Sequence, residues 1–241
     1  MASQASGPEA RSDHLTFRAN RRDTRHGWLR LTPAYSVHLV GEILGTLTAS
    51  KPLVLDPFCG TGTTALVCAE RGVACDTTDI NPFLVWLAKA KTATYSSESL
   101  AELGGRAELV ARAMSGRSKK LGWVPALHHI ERWWTPAVLA SLSRGFAVIR
   151  EGARDQTRDL LELAFCRTLI ERGRVSFGHQ SMSFSSAEED GATSRDVAAS
   201  FREAVRSIRG AAALPSPPRR ARCSATRAPS LQASRGDATT P

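Results

Sequence analysis

The segment Leu53-Val54-Leu55-Asp56-Pro57-Phe58-Cys59-Gly60-Thr61-Gly62-Thr63-Thr64 constrains the fold more than any other. A short apolar run ends in a carboxylate, a tight loop with two glycines follows, and Thr63 to Arg71 then reads as a helix. Strand, glycine loop and helix in this order open a nucleotide-type βαβ unit, and hence an α/β fold. Glycine at 60 and 62 lets backbone N–H groups approach a ligand closely, and the helix N-terminus adds positive potential there.

The loop's own residues narrow the ligand. A nucleoside triphosphate loop needs a Lys after its last glycine, and none follows Gly62. Gly60, Gly62 and Ala65 satisfy the dinucleotide fingerprint, but Asp56 at the strand end would face a pyrophosphate, and like charges repel at short range in a partly dry site. A ligand carrying an ammonium and a sulfonium welcomes that carboxylate instead, and S-adenosylmethionine is such a ligand. Asp79 lies 23 residues beyond Asp56, near the spacing at which an acidic side chain meets ribose hydroxyls.

Asp56-Pro57-Phe58-Cys59-Gly60-Thr61-Gly62-Thr63-Thr64 resembles the D-P-F-x-G-[ST]-G-T-T signature of bacterial DNA amino-methyltransferases, which modify cytosine N4 or adenine N6. Thr32-Pro33-Ala34-Tyr35-Ser36 and Asp79-Ile80-Asn81-Pro82-Phe83 resemble two further blocks of that family, in the family's order. The resemblance covers roughly residues 30–185. It implies a partial Rossmann-like methyltransferase fold, with S-adenosylmethionine held by Thr32, Pro33, Tyr35, Asp56, Pro57, Phe58, Gly60, Gly62, Thr63, Asp79, Asn81 and Phe83. It implies DNA as the partner and leans to cytosine N4.

The chain has 241 residues, 42% of them hydrophobic, enough for an ordinary domain with appendages. No apolar run is long enough for a membrane span or a secretory core. The net charge of +9 suits a polyanion such as DNA. Five scattered cysteines with no C-x-x-C pair predict neither a zinc site nor a disulfide framework, and a reducing cytoplasm is the simplest location.

Taken in order, residues 1–30 read as a flexible basic arm, disordered or laid along phosphates, with order beginning near His26-Gly27-Trp28. Residues 31–95 form the cofactor-binding portion: Thr32-Pro33 starts a helix whose Leu39, Val40, Ile43, Leu44 and Leu47 pack on the sheet. Gly72 ends the helix after the loop, Val73 to Asp79 is a second strand, and Asn81-Pro82 starts a helix to Lys91. A buried Asp76 in that strand would need a partner. Phe83 and Trp86 either flank an adenine ring or belong to the core.

Residues 96–184 read as a helical insertion. One stripe is Leu100, Leu103, Ala107, Val110 and Met114, weakened by Gly104 and Gly105; helices then start at Thr135-Pro136 and Thr157. Trp133 and Trp134 read as core, Arg174 to Phe177 as a doubtful strand, and His179 lacks the partners of a general base. A linker and short helix occupy 185–210, and 211–241 reads as a disordered basic tail.

Amino-group methylation also needs a [D/N/S]-P-P-[Y/F/W] motif to hold the flipped base, by the family's pattern. Ser216-Pro217-Pro218 is followed by Arg219 and has no strand before it, so it reads as tail composition. No Pro-Cys dipeptide exists, which excludes C5 chemistry by a cysteine nucleophile. The expectation is therefore a chain truncated or frameshifted near 205–220, inactive alone or completed by a separate polypeptide carrying the catalytic half. The alternative is a non-catalytic cofactor- or DNA-binding module.

Overall fold

The computed structural model describes residues 15, 20, 24–29, 31, 34–118, 122–176, 183–184, 193–214 and 222–225. Its sheet unit begins with α1 (Val37–Gly45), followed by β1 (Leu53–Asp56), α2 (Thr63–Glu70), β2 (Ala74–Asp79) and α3 (Pro82–Thr92). β2 pairs in parallel with β1 (Val54 opposite Cys75) and, on its other side, with β5 (Arg222–Ala225; Cys223 opposite Thr77). Among the described residues the order β1-β2-β5 leaves β1 at an edge.

The two faces of this sheet differ. Side chains alternate along a strand, so Val54, Asp56, Cys75, Thr77 and Cys223 share one face. There Cys75, Thr77 and Cys223 are buried beneath α2 and α3, and Cys59, Ala65, Val85, Ala88 and Cys223 form a small core. On the opposite face Leu53 and Leu55 are 65% and 68% exposed. Parallel sheets are ordinarily covered on both faces. Among the described residues, elements cover this one on one face.

The larger core belongs to four helices, α4 (Ser97–Ser115), α5 (Pro136–Glu151), α6 (Gln156–Glu171) and α7 (Ser194–Ala212). α4 runs through Gly104 and Gly105 without a break, because Leu103, Ala107, Val110 and Met114 are buried together on one stripe and packing outweighs glycine's low helix propensity. Thr135 caps α5, accepting from Val138 N at 3.4 Å, with Pro136 at the first helical position. A capping box of Thr193 and Asp196 opens α7, whose Val197, Phe201 and Ile208 are fully buried, each contributing about 1.5–3 kcal/mol. β3 (Val175–Ser176) and β4 (Ser183–Phe184) form a separate antiparallel pair.

Several sequence expectations are corrected. The basic arm is not wholly a surface feature: Arg25 is 4% exposed and its guanidinium donates to the carbonyls of Lys91, Ala93 and Ala212, while Trp28 is buried beside Tyr95. The first helix starts at Val37, capped by Ser36, which accepts from His38 N and Leu39 N at 3.2 and 3.4 Å. Asn20 Oδ1 accepts from Val37 N at 2.9 Å, so three orphan N–H groups of the first turn are satisfied at this register. Thr32 and Pro33 lie outside the described residues. α1 rests on α2, with Arg71 Nη1 donating to Gly41 O at 2.6 Å, and Ile43 and Leu47 stay exposed.

Asp76 is not buried without a partner. It lies on the bare face, where Arg222 meets it in a bidentate pair at 2.7 and 2.8 Å. Arg222 belongs to β5, so residues 222–225 of the supposed tail are a sheet strand. Asp155, not Thr157, caps α6, with Oδ1 accepting from Arg158 N at 2.8 Å. The helix assigned to a linker is an integral bundle helix and extends to Ala212. His179 and Ser216 to Arg219 lie outside the described residues.

Candidate cofactor site

The glycine loop joins the C-terminal end of β1 to α2, the position at which parallel α/β sheets bind ligands. Cys59 N donates to Thr78 O at 2.8 Å, tying the loop to the end of β2, and Gly62 N donates to Cys59 O at 2.9 Å, closing a turn. Gly60 and Gly62 take φ of +51° and +78°, a conformation that strains other residues. At Gly62 space decides as well: a Cβ would sit 2.8 Å from the Ala88 Cβ and 2.9 Å from its Cα. Glycine is what lets the loop press against α3.

Asp79 organises the opposite wall. Its Oδ2 accepts from Gly60 N at 3.0 Å and its Oδ1 from Asn81 N at 2.8 Å. Each carboxylate oxygen keeps a further lone pair, so the side chain can still accept from a ligand hydroxyl. Asn81 accepts from Phe83 N at 3.0 Å and caps α3 behind Pro82.

Between these walls lies a cavity of about 480 Å³, which Tyr35, Phe58, Gly60, Thr63, Asp79, Asn81 and Phe83 all line. Seven residues singled out from sequence thus converge on one space. Three others do not line it. Asp56 is buried under the loop, its Oδ1 accepting from Phe58 N at 3.0 Å; Pro57 accepts from Thr78 Oγ1 at 3.1 Å; and Gly62 faces α3. Thr32 and Pro33 are outside the described residues. Of the two aromatics left open, Phe83 lines the cavity, whereas Trp86 packs on the bundle core and donates from Nε1 to Asp159 Oδ1 at 2.9 Å. Trp134 is likewise core, donating to Leu169 O at 3.0 Å.

Sequence reading missed Lys91. Its side chain is 1% exposed, and its Nζ donates to Thr61 O at 2.9 Å and to Leu29 O at 3.5 Å, bracing the glycine loop from beneath. Burial pulls its pKa down to about 7. A helical Lys among Ala and Leu reads as a solvated end, and nothing local announces a buried cation. The Cys59 thiol on the cavity wall, hydrogen-bonded with Cys223 and buried, is pushed up and stays protonated, which suits a wall rather than a nucleophile. Among the described residues no group of three His, Cys, Asp or Glu could hold a metal ion, and no helix is long and apolar enough to cross a membrane.

Over 69 residues, 28% of its length, the chain is 30% identical to the type II methyltransferase M.AvaI of Nostoc sp. (strain PCC 7120) and of Anabaena variabilis. It is 33% identical over 69 residues to the type II methyltransferase M.BsoBI of Geobacillus stearothermophilus. The chain is similar to type II methyltransferases. The match spans only 14% of the length of each relative. No family model and no solved structure matches the chain. The similarity to the type II methyltransferases supports methyltransferase kinship without specifying the atom that is methylated.

Proposed function

We propose that the chain binds S-adenosylmethionine in the cavity beside the glycine loop and serves as the cofactor half of a DNA amino-methyltransferase, with cytosine N4 favoured over adenine N6. The observation that carries the reading is the carboxylate of Asp79 on the wall of a 480 Å³ space at the C-terminal ends of two parallel strands. The residues fit the cofactor. The Asp79 carboxylate suits ribose hydroxyls as an acceptor, and Phe83, Leu84, Leu31 and Ala34 offer apolar wall to a purine, which supports this reading. Asp56 and Lys91 hold the loop from below while Tyr35 and Phe58 border its mouth. When bound, the cofactor supplies an electrophilic sulfonium methyl.

Among the described residues β1 is an edge strand, and its Leu53 and Leu55 are exposed. Those features favour a separate polypeptide that completes the sheet and carries the P-P-aromatic motif. The bare face equally favours the alternative of a non-catalytic cofactor- or DNA-binding module. Calorimetry with S-adenosylmethionine tests the cofactor reading: Asp79→Asn should bind about 12- to 150-fold more weakly, the range for a hydrogen bond to a charged group. Equal affinity of parent and variant would refute the role given to Asp79. Methyl transfer restored by adding a polypeptide with that motif separates the enzyme half from the module.

A further inference from the structure

A second groove lies at the end of the helical bundle where α4 finishes and α5 and α7 begin, with a volume of about 750 Å³. Arg117, Arg144 and Arg195 line it, as do the hydroxyl residues Ser115, Ser118, Thr193 and Ser194, and among the described residues no carboxylate does. Arg144 is fully engaged: its guanidinium donates to Ala113 O at 2.9 Å, Met114 O at 2.8 Å and Ser118 O at 2.6 Å. It thereby covers with positive charge the carbonyls in which α4 would otherwise present its negative end. The nearest acid on α7, Asp196, is turned back into the capping box, its Oδ2 accepting from Thr193 N and Oγ1 at 2.7 Å each.

Arg117 and Arg195 differ from Arg144. Both side chains are exposed, and neither has an ion-pair partner among the described residues. The N-termini of α5 and α7 open on the same space and add partial positive charge. A concavity holding two uncommitted arginines, a third bound in place and two helix N-termini suits the phosphates of a polyanion. In sequence Lys119 and Lys120 follow Ser118, and Glu188, Glu189 and Asp190 precede Thr193; these lie outside the described residues.

The groove is remote from the cofactor cavity. α4 has 19 residues and begins two residues after Tyr95, whose hydroxyl donates to Ala90 O of α3. At 1.5 Å per residue its two ends lie about 27 Å apart, roughly the length of eight base pairs of duplex.

We propose that this groove grips the sugar-phosphate backbone of duplex DNA, contributing position and affinity but no base readout. The occupant rests on the DNA substrate proposed above; the location does not. Fluorescence anisotropy of the full chain with a labelled mixed-sequence duplex, measured across salt concentrations, tests it. Arg117→Ala combined with Arg195→Ala should weaken binding about 10- to 100-fold at low salt and reduce the slope of log K against log salt by about two, close to 0.9 for each phosphate released. Arg117→Lys with Arg195→Lys should keep the slope, and both double variants should keep the parent's S-adenosylmethionine affinity and thermal midpoint.

Unchanged DNA affinity and slope in the alanine pair would overturn the proposal while leaving the cofactor reading intact. Displacement of the duplex by poly-glutamate at equal charge concentration would also overturn it, assigning the groove to an acidic protein. Loss of DNA binding in the pair, together with no cofactor binding by the parent, would uphold the groove and sink the cofactor reading.

Discussion

Replacing Lys91 with Met tests whether a buried cation underlies the glycine loop. In the folded chain this ammonium loses its proton near pH 7 rather than 10.5, because burial strips it of water. Below pH 7 both folded and unfolded chains are protonated, and the folded state bears the whole desolvation cost. Between pH 7 and 10.5 the unfolded chain holds the extra proton, so the Lys91 contribution to stability rises with pH, by about 1.4 kcal/mol per pH unit and about 5 kcal/mol across the window. Met at 91 removes that dependence but leaves Thr61 O unsatisfied, which costs about 1–3 kcal/mol. The variant should therefore be more stable than the parent at pH 6.5 and lose its advantage near pH 9.5.

Urea denaturation at three pH values, read as the difference between parent and variant, is the assay. The difference matters because burial holds the Cys166 thiol protonated in the fold, and its contribution runs the opposite way with pH. A stability difference that stays constant from pH 6.5 to 9.5 would refute the reasoning. It would show that water or rearrangement solvates the ammonium.

Three further outcomes follow from the geometry. Gly62→Ala should cost about 2–4 kcal/mol, combining a left-handed backbone with a Cβ pressed on Ala88, and a thermal melt unchanged within a degree would contradict it. Arg25→Met should destabilise by about 2–4 kcal/mol, because the carbonyls of Lys91, Ala93 and Ala212 lose their donor. The same variant should bind duplex DNA as the parent does, whereas a phosphate-contacting role for Arg25 demands weaker binding. The parent chain alone, given radiolabelled S-adenosylmethionine and mixed genomic DNA, should give no sustained transfer; turnover would show that the chain by itself already holds a base.

Short-range chemistry made much of this protein legible in the amino-acid sequence. The apolar run ending at Asp56, the glycines at 60 and 62, the cap at Asn81 and the stripe from Leu103 to Met114 each depend on neighbours within a few positions, and each forms the local structure that pattern predicts. Asp79 and Asn81 follow the same logic, since strand end and helix cap set where they stand. What only the tertiary structure decided concerns groups whose partners are far along the chain. Arg25 turns inward because Ala212 O, 187 residues away, meets it. The first helix begins at Val37 because Asn20 joins Ser36 in capping it. Residues 222–225 become a strand because the edge of β2 offers unpaired backbone and Asp76 an unpaired charge. Lys91 stays buried because Thr61 O, thirty residues away, accepts a hydrogen bond from its Nζ. Periodicity and capping are written in adjacent residues. Desolvated charge and open sheet edges find their partners only once the chain has folded.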